Sequence, residues 1–129
     1  MRRIDLITQA CDPKTLTVGQ LMQDALFTCT AQTDALTIGR LMTKQNFGGL
    51  PVVAEDSSLV GLVTEYDLLQ AMIEGRDLRK VFASEIMTTQ PLAARENMTL
   101  EEVANLFQDR YVTRLPVVRG KQLVGIVAR

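Results

Sequence analysis

Apolar residues along this chain fall into two patterns that alternate. Four short stretches are apolar almost throughout: Leu50 to Ala54, Leu59 to Thr64, Leu115 to Arg119 and Gln122 to Val127. They are too short for buried helices and rich in β-branched residues, so they predict strands. Polar turns join them in pairs, Glu55-Asp56-Ser57-Ser58 in the first and the tighter Gly120-Lys121 in the second, which makes each pair a hairpin. Nearly continuous apolarity predicts burial on both sheet faces. Pro51 and Pro116 have no N–H to give a ladder and are expected at a strand start or an edge.

Helical periodicity precedes each hairpin. Leu100, Val103, Ala104 and Phe107 fall at i, i+3, i+4 and i+7, one face of a helix. Thr99 and Glu102 form a T-x-x-E capping box at its start. In the first half Asp34 is the expected cap, with Ile38, Leu41, Met42 and Phe47 among the buried positions. A short apolar segment comes before each helix, Leu26 to Cys29 and Pro91 to Ala94. A further helix, Tyr66 to Glu74, is stopped by Gly75. Gly75 to Lys80 reads as the linker.

These elements occur twice. Leu50-Pro51-Val52-Val53 returns as Leu115-Pro116-Val117-Val118, Leu59-Val60-Gly61-Leu62-Val63 as Leu123-Val124-Gly125-Ile126-Val127, and Leu21-Met22 as Ile86-Met87, at offsets of 65, 64 and 65 residues. Two related lobes follow from this, not a solenoid of many units. Each lobe has the order β-α-β-β-α, in an α+β fold. The chain stops at Arg129, before the last helix of the second lobe. The expected division is a first repeat at 16–75, a truncated second at 81–129 and an extension at 1–15. The two lobes are expected to fold as one unit, as a piece of a longer protein. Thr30 to Asp34 reads as one residue longer than its second-lobe counterpart.

Composition narrows the function. The chain has 129 residues, 47% apolar and 22% charged, with net charge −1. That fits a compact soluble domain and gives no basic face to suggest nucleic acid. No apolar run approaches the roughly 20 residues of a membrane span, and the Arg2-Arg3 start lacks a signal-peptide core. A cytoplasmic protein with no direct membrane insertion is expected. Cys11 and Cys29 have no metal-type spacing and read as free thiols. Histidine is absent, which removes Ser-His and Cys-His nucleophile pairs. No metal cluster or Walker-type loop appears. The expectation is no enzyme, no catalytic residue, no metal and no resident cofactor.

From about Val18 onward the order and the blocks resemble the cystathionine-β-synthase (CBS) domain family. That family is marked by an apolar-Pro-Val-Val strand, then a strand ending Gly-apolar-x-[Ser/Thr]-x-x-Asp. Gly61-Leu62-Val63-Thr64-Glu65-Tyr66-Asp67 carries the second block in full. The resemblance implies two repeats packed about a pseudo-twofold axis, a Bateman module. It also implies a regulatory adenosine-containing ligand (AMP, ADP, ATP or S-adenosylmethionine) in the cleft between the repeats, a homodimer, and a fused or associated effector domain. The alternative is a dimerisation or scaffold module of a larger protein that binds no ligand.

A carboxylate is the natural acceptor for two adjacent ribose hydroxyls, and a strand-to-helix corner supplies hydroxyl and N–H donors. The resemblance assigns Asp67 to the ribose and Thr64 to the ribose-phosphate side. Ser/Thr-x-x-Asp is also an ordinary helix cap, and on sequence both readings stand. Arg114, before Leu115-Pro116, matches a phosphate-contacting arginine of relatives; otherwise it is an exposed strand-end residue. Its first-lobe counterpart is Gly49. The base slot implied by the family comprises Thr28, Cys29 and Leu50, which also read as plain strand residues. The second lobe departs from the pattern, with Ala128 where Ser or Thr is usual. One ligand site per chain is expected, governed by Asp67.

Overall fold

The computed structural model describes residues 12–24, 27–45, 48–110 and 112–128. In chain order these form α1 (Val18–Leu21), α2 (Ala35–Gln45), β1 (Gly49–Val53), β2 (Leu59–Thr64), α3 (Glu65–Ile73), a 3₁₀ turn (Leu78–Lys80), α4 (Ala83–Ile86), β3 (Thr88–Thr89), β4 (Ala94–Arg95), α5 (Leu100–Arg110), β5 (Arg114–Arg119) and β6 (Gln122–Ala128). This is the mixed α+β fold expected, with two separate sheets. Phe47, Leu26 and Cys11, named from the sequence, lie outside the described residues. No helix among the described residues is long and apolar enough to cross a membrane.

The chain divides into two compact units, and their boundaries are not those of the repeats 16–75 and 81–129. One unit runs from Phe27 to Pro91; the other joins the residues before Phe27 to those from Leu92 onward. Gly75 to Lys80 therefore lies inside a unit, and each unit contains the short helix that belongs in sequence to the other repeat.

In the 27–91 unit, β1 pairs antiparallel with β2, and β2 with β3. Cys29 adds one parallel bridge to Val52. The core collects Cys29, Ile38, Met42, Leu50, Val52, Val63 and Ala83. Ile38 and Leu50 are fully buried, which contributes about 1.5–3 kcal/mol each. Asp34 caps α2 by accepting from the Thr37 N–H (2.9 Å) and hydroxyl (2.7 Å). Gly75 stops α3 at φ +75°, a backbone region that glycine enters without strain.

The other unit repeats the plan. β4 runs parallel to β5, which pairs antiparallel with β6, and Gln23 bridges Ile126 on the outer side. Val18, Ala94, Val103, Phe107, Leu115, Val117 and Val127 form its core. The Thr99 hydroxyl accepts from the Glu102 N–H at 3.2 Å, as the capping box predicts.

Local expectations need four corrections. Ala104 is exposed, and Leu106 packs on the core in its place. Both lie at the flanks of a stripe centred on Val103 and Phe107, where only the longer side chain reaches inward. The first strand of each lobe is shorter than expected, one bridge at Cys29 and two residues at Ala94–Arg95. The prolines cause this. Pro51 lies inside β1, and its carbonyl accepts from the Cys29 N–H at 3.0 Å. Its nitrogen faces the same side with no proton, so parallel pairing cannot extend back past Val52. Pro116 likewise precedes Val117, where pairing with Ala94 begins, in what is the central strand of its sheet. Burial on both faces holds for β1 through Val52, whereas exposure alternates along β6. Finally, the bridges at Cys29 and Ala94 and the caps at Asp34 and Thr99 keep a common offset of 65 residues, so Thr30 to Asp34 has no extra residue. The additional residue sits in the first hairpin turn, between Val53 and Leu59.

Candidate functional site

Strand β2 ends at Thr64 and helix α3 begins at once, so four residues turn a sharp corner. Thr64 keeps extended backbone angles (φ −112°, ψ 168°) as the N-cap. Asp67 Oδ2 accepts from the Thr64 N–H at 2.8 Å and from its hydroxyl at 3.0 Å. The Asp67 N–H points back at Thr64 Oγ1, 3.4 Å away. The Glu65 N–H donates to the Gly48 carbonyl at 3.1 Å, which ties the corner to the start of β1. Glu65 and Asp67 place negative charge at the positive end of the helix, a favourable location.

The capping reading of Thr64-x-x-Asp67 is thus realised, and it consumes one oxygen of the carboxylate. Oδ1 has no hydrogen-bond partner among the described residues. Asp67 is half-buried and lines a cavity of about 170 Å³, with Tyr66, Gln70, Ala71, Glu74, Arg76, Glu85 and Ile86. Gln70 and Glu74 follow Asp67 at i+3 and i+7 on one helix face, so the 3.6-residue period signals them. Arg76 follows α3 and Glu85 lies within α4, and no local pattern marks them as a pair. They meet as an ion pair, Arg76 Nη2 to Glu85 Oε1, at 2.8 Å. Glu85 Oε2 also accepts from the Phe82 N–H at 2.7 Å and so caps α4. That N–H bond, followed by Arg76, holds the Glu85 carboxyl below its ordinary pKa.

The remaining residues singled out from the sequence are distributed unevenly. Leu50 and Cys29 are buried in the core of the 27–91 unit. Burial pushes the Cys29 thiol up to about 11, which leaves it protonated and weakly nucleophilic. Thr28 is exposed beside it in sequence. Arg114 opens β5 in the other unit, half-buried and paired across the ladder with Ala128. Its guanidinium has no ion pair or hydrogen bond among the described residues. Gly49 pairs with Thr64 in the same way, so the arginine and the hydroxyl of the two repeats occupy opposite ends of matching pairs.

Comparison with known proteins bears on this corner. The family model for the CBS domain matches residues 18–74 and 83–129. The chain is 39% identical over 89 residues to the CBS domain-containing protein YhcV of Bacillus subtilis, a match covering 68% of this chain and 62% of YhcV. The chain thus spans less than two thirds of that relative. Among solved structures it is similar to CBSX2 in complex with AMP, at 32% identity and TM-score 0.77, covering 88% of this chain and 90% of the other. It is also similar to the CBS domain pair of MJ0100 in complex with 5′-methylthioadenosine and S-adenosyl-L-methionine, at 28% identity and TM-score 0.80, covering 90% of each.

Proposed function

The chain belongs to the CBS-domain family, and from that premise we propose that it is a non-catalytic regulatory module whose ligand is an adenosine compound held through its ribose by Asp67. One observation carries the reading. The Thr64–Asp67 cap is complete with Oδ2 alone, and Oδ1 is left over on a residue that lines a cavity. A carboxylate oxygen fixed in this way accepts from a ribose hydroxyl without reorganising the helix start. The AMP complex of CBSX2 and the methylthioadenosine and S-adenosylmethionine complex of the MJ0100 pair support the ligand class.

Thr64 orients Asp67 and contributes its hydroxyl to the ribose-phosphate side. Thr28 and the backbone at Cys29 and Leu50 are the proposed base contacts, since the last two side chains are buried. Arg114 is the residue that takes a phosphate where the ligand carries one. Regulation follows from a ligand that favours one conformation of the module over another, by no more than its difference in affinity for the two. The reading extends to a cytoplasmic homodimer acting on a fused or associated effector. The exposed apolar face of α3, with Tyr66, Leu69, Met72 and Ile73 each more than half accessible, supports the dimer part of that reading.

Thermal unfolding with AMP, ADP, ATP, adenosine and S-adenosylmethionine tests the reading. A ligand at 100 times its Kd adds about 2.7 kcal/mol, a shift of several degrees in Tm. Asp67→Asn keeps an acceptor for the cap and removes the charge. It is expected to retain the unliganded Tm within about 2 °C and to lose the ligand-induced shift. A shift that persists in Asp67→Asn removes Asp67 from the site. No shift with any adenosine compound favours the scaffold alternative.

A further inference from the structure

The cavity beside Asp67 has a charge that bears on which adenosine compound it accepts. Among the described residues of the lining, Asp67, Glu74 and Glu85 present three carboxylates, and Arg76 is the one cationic side chain. That guanidinium is already held: Nη2 donates to Glu85 Oε1 at 2.8 Å, while Glu85 Oε2 is fixed by the Phe82 N–H. Within this lining, an anion reaches a cation only by displacing Glu85 from Arg76, which leaves a carboxylate unpaired beside it. Glu85 stays ionised at neutral pH, because the Phe82 N–H and Arg76 lower its pKa. The other described residues of the lining are neutral: Tyr66 and Gln70 supply hydrogen-bonding groups, and Ala71 and Ile86 supply apolar surface.

A phosphate monoester brings a charge of about −1.5 to −2 at pH 7. Set against the carboxylates of Asp67 and Glu74 in the same lining, that charge is repelled to a degree that salt relieves. A sulfonium is attracted instead, and a thioether rests on Ala71 and Ile86 at no electrostatic cost. We propose that the ligand held at Asp67 presents a neutral or cationic group to this cavity, making the site selective for an adenosine thioether or sulfonium over adenosine phosphates. The inference rests on the proposed ribose role of Asp67 and adds Glu74 and Glu85 as specificity-determining residues.

Calorimetric titration of the whole chain with adenosine, 5′-methylthioadenosine, S-adenosylmethionine and AMP decides it. The expected order places methylthioadenosine and S-adenosylmethionine at least about tenfold tighter than AMP at low salt, with the gap narrowing as salt rises. Glu85→Gln retains an oxygen to cap α4 and frees Arg76, so the adenosine-to-AMP affinity ratio is expected to fall at least about threefold. Glu74→Gln, at the exposed end of α3, is expected to move the ratio the same way and covers the case in which Glu85→Gln fails to fold. AMP binding as tightly as the thioether, or a ratio unmoved by both variants, overturns the charge selectivity while leaving the adenosine site standing. Failure of all four compounds to bind overturns both.

Discussion

Two residue contacts explain why short blocks recur at the offsets they do. A Cβ placed on Gly61 would lie 2.9 Å from Met87 Cγ and 3.1 Å from the Thr88 carbonyl oxygen. One on Gly125 would lie 2.9 Å from Met22 Cγ and 3.2 Å from the Gln23 carbonyl. A Cβ at either position would force the methionine that lies over the strand, and to a lesser degree the crossing backbone, to shift. Gly61→Ala is accordingly expected to destabilise the protein by about 1–3 kcal/mol. Met87→Ala in the same chain should recover part of that loss, because the two changes share one contact. Denaturant midpoints for the two single variants and the double variant check this, and strict additivity would remove the contact as the cause. Both partners were visible in the sequence as repeated blocks. Their meeting was not, since Gly61 and Met87 share no local period and belong to different repeats.

Elements that depend on local chemistry were the legible part of the fold. Asp34, Thr99 and Gly75 begin or end helices as the sequence predicts, because a cap is decided by residues within one turn of it. The first strands were overread, because their length depends on where a proline in a distant strand interrupts the ladder. At the site, the Thr64–Asp67 corner was legible and the Arg76–Glu85 pair was not, for the same reason. Carboxylates at these element ends set a pH dependence. Hydrogen bonds from Thr37 lower the pKa of Asp34, the Phe82 N–H lowers that of Glu85, and Arg119 lowers that of Glu96. A carboxylate with a depressed folded pKa adds stability above its unfolded value of about 4 and loses it as pH falls through the folded value. The urea midpoint is therefore expected to be level between about pH 6 and 7 and to decline below about pH 5. Glu96→Gln, which breaks the pair with Arg119 at 2.7 Å, should flatten part of that decline. A decline unchanged in this variant would assign the acid sensitivity to other groups.

For the whole molecule, the consequential feature is that the units in space are not the repeats in sequence. The Ala83 N–H donates to the Thr33 carbonyl at 2.8 Å and the Ala35 N–H to Val81 at 2.7 Å, which stitches the start of the second repeat onto the helix of the first. The Val18 N–H donates to Met98 at 2.7 Å and the Leu100 N–H to Leu16 at 2.8 Å, the same stitch with the repeats reversed. Each helix-strand-strand body thus depends on a leading segment supplied by its sister. Two pieces of similar length separate this arrangement from independent repeats. Residues 12–76 contain the first repeat but lack Val81, Ala83 and Met87, so the core around Ile38 and the glycine face of β2 stay uncovered. Residues 27–91 cut across both repeats and retain every member of the cluster around Leu50 and Val63. The 27–91 piece is expected to unfold cooperatively and show dispersed amide resonances, whereas the 12–76 piece should show neither, its core lacking the apolar cover that a chain this short needs. If 12–76 folds as well as 27–91, the exchanged segments are dispensable decoration. If only 27–91 folds, a change at the Asp67 corner acts on a body already bonded to the second repeat's leading segment, which gives a ligand there a covalent route to the rest of the chain.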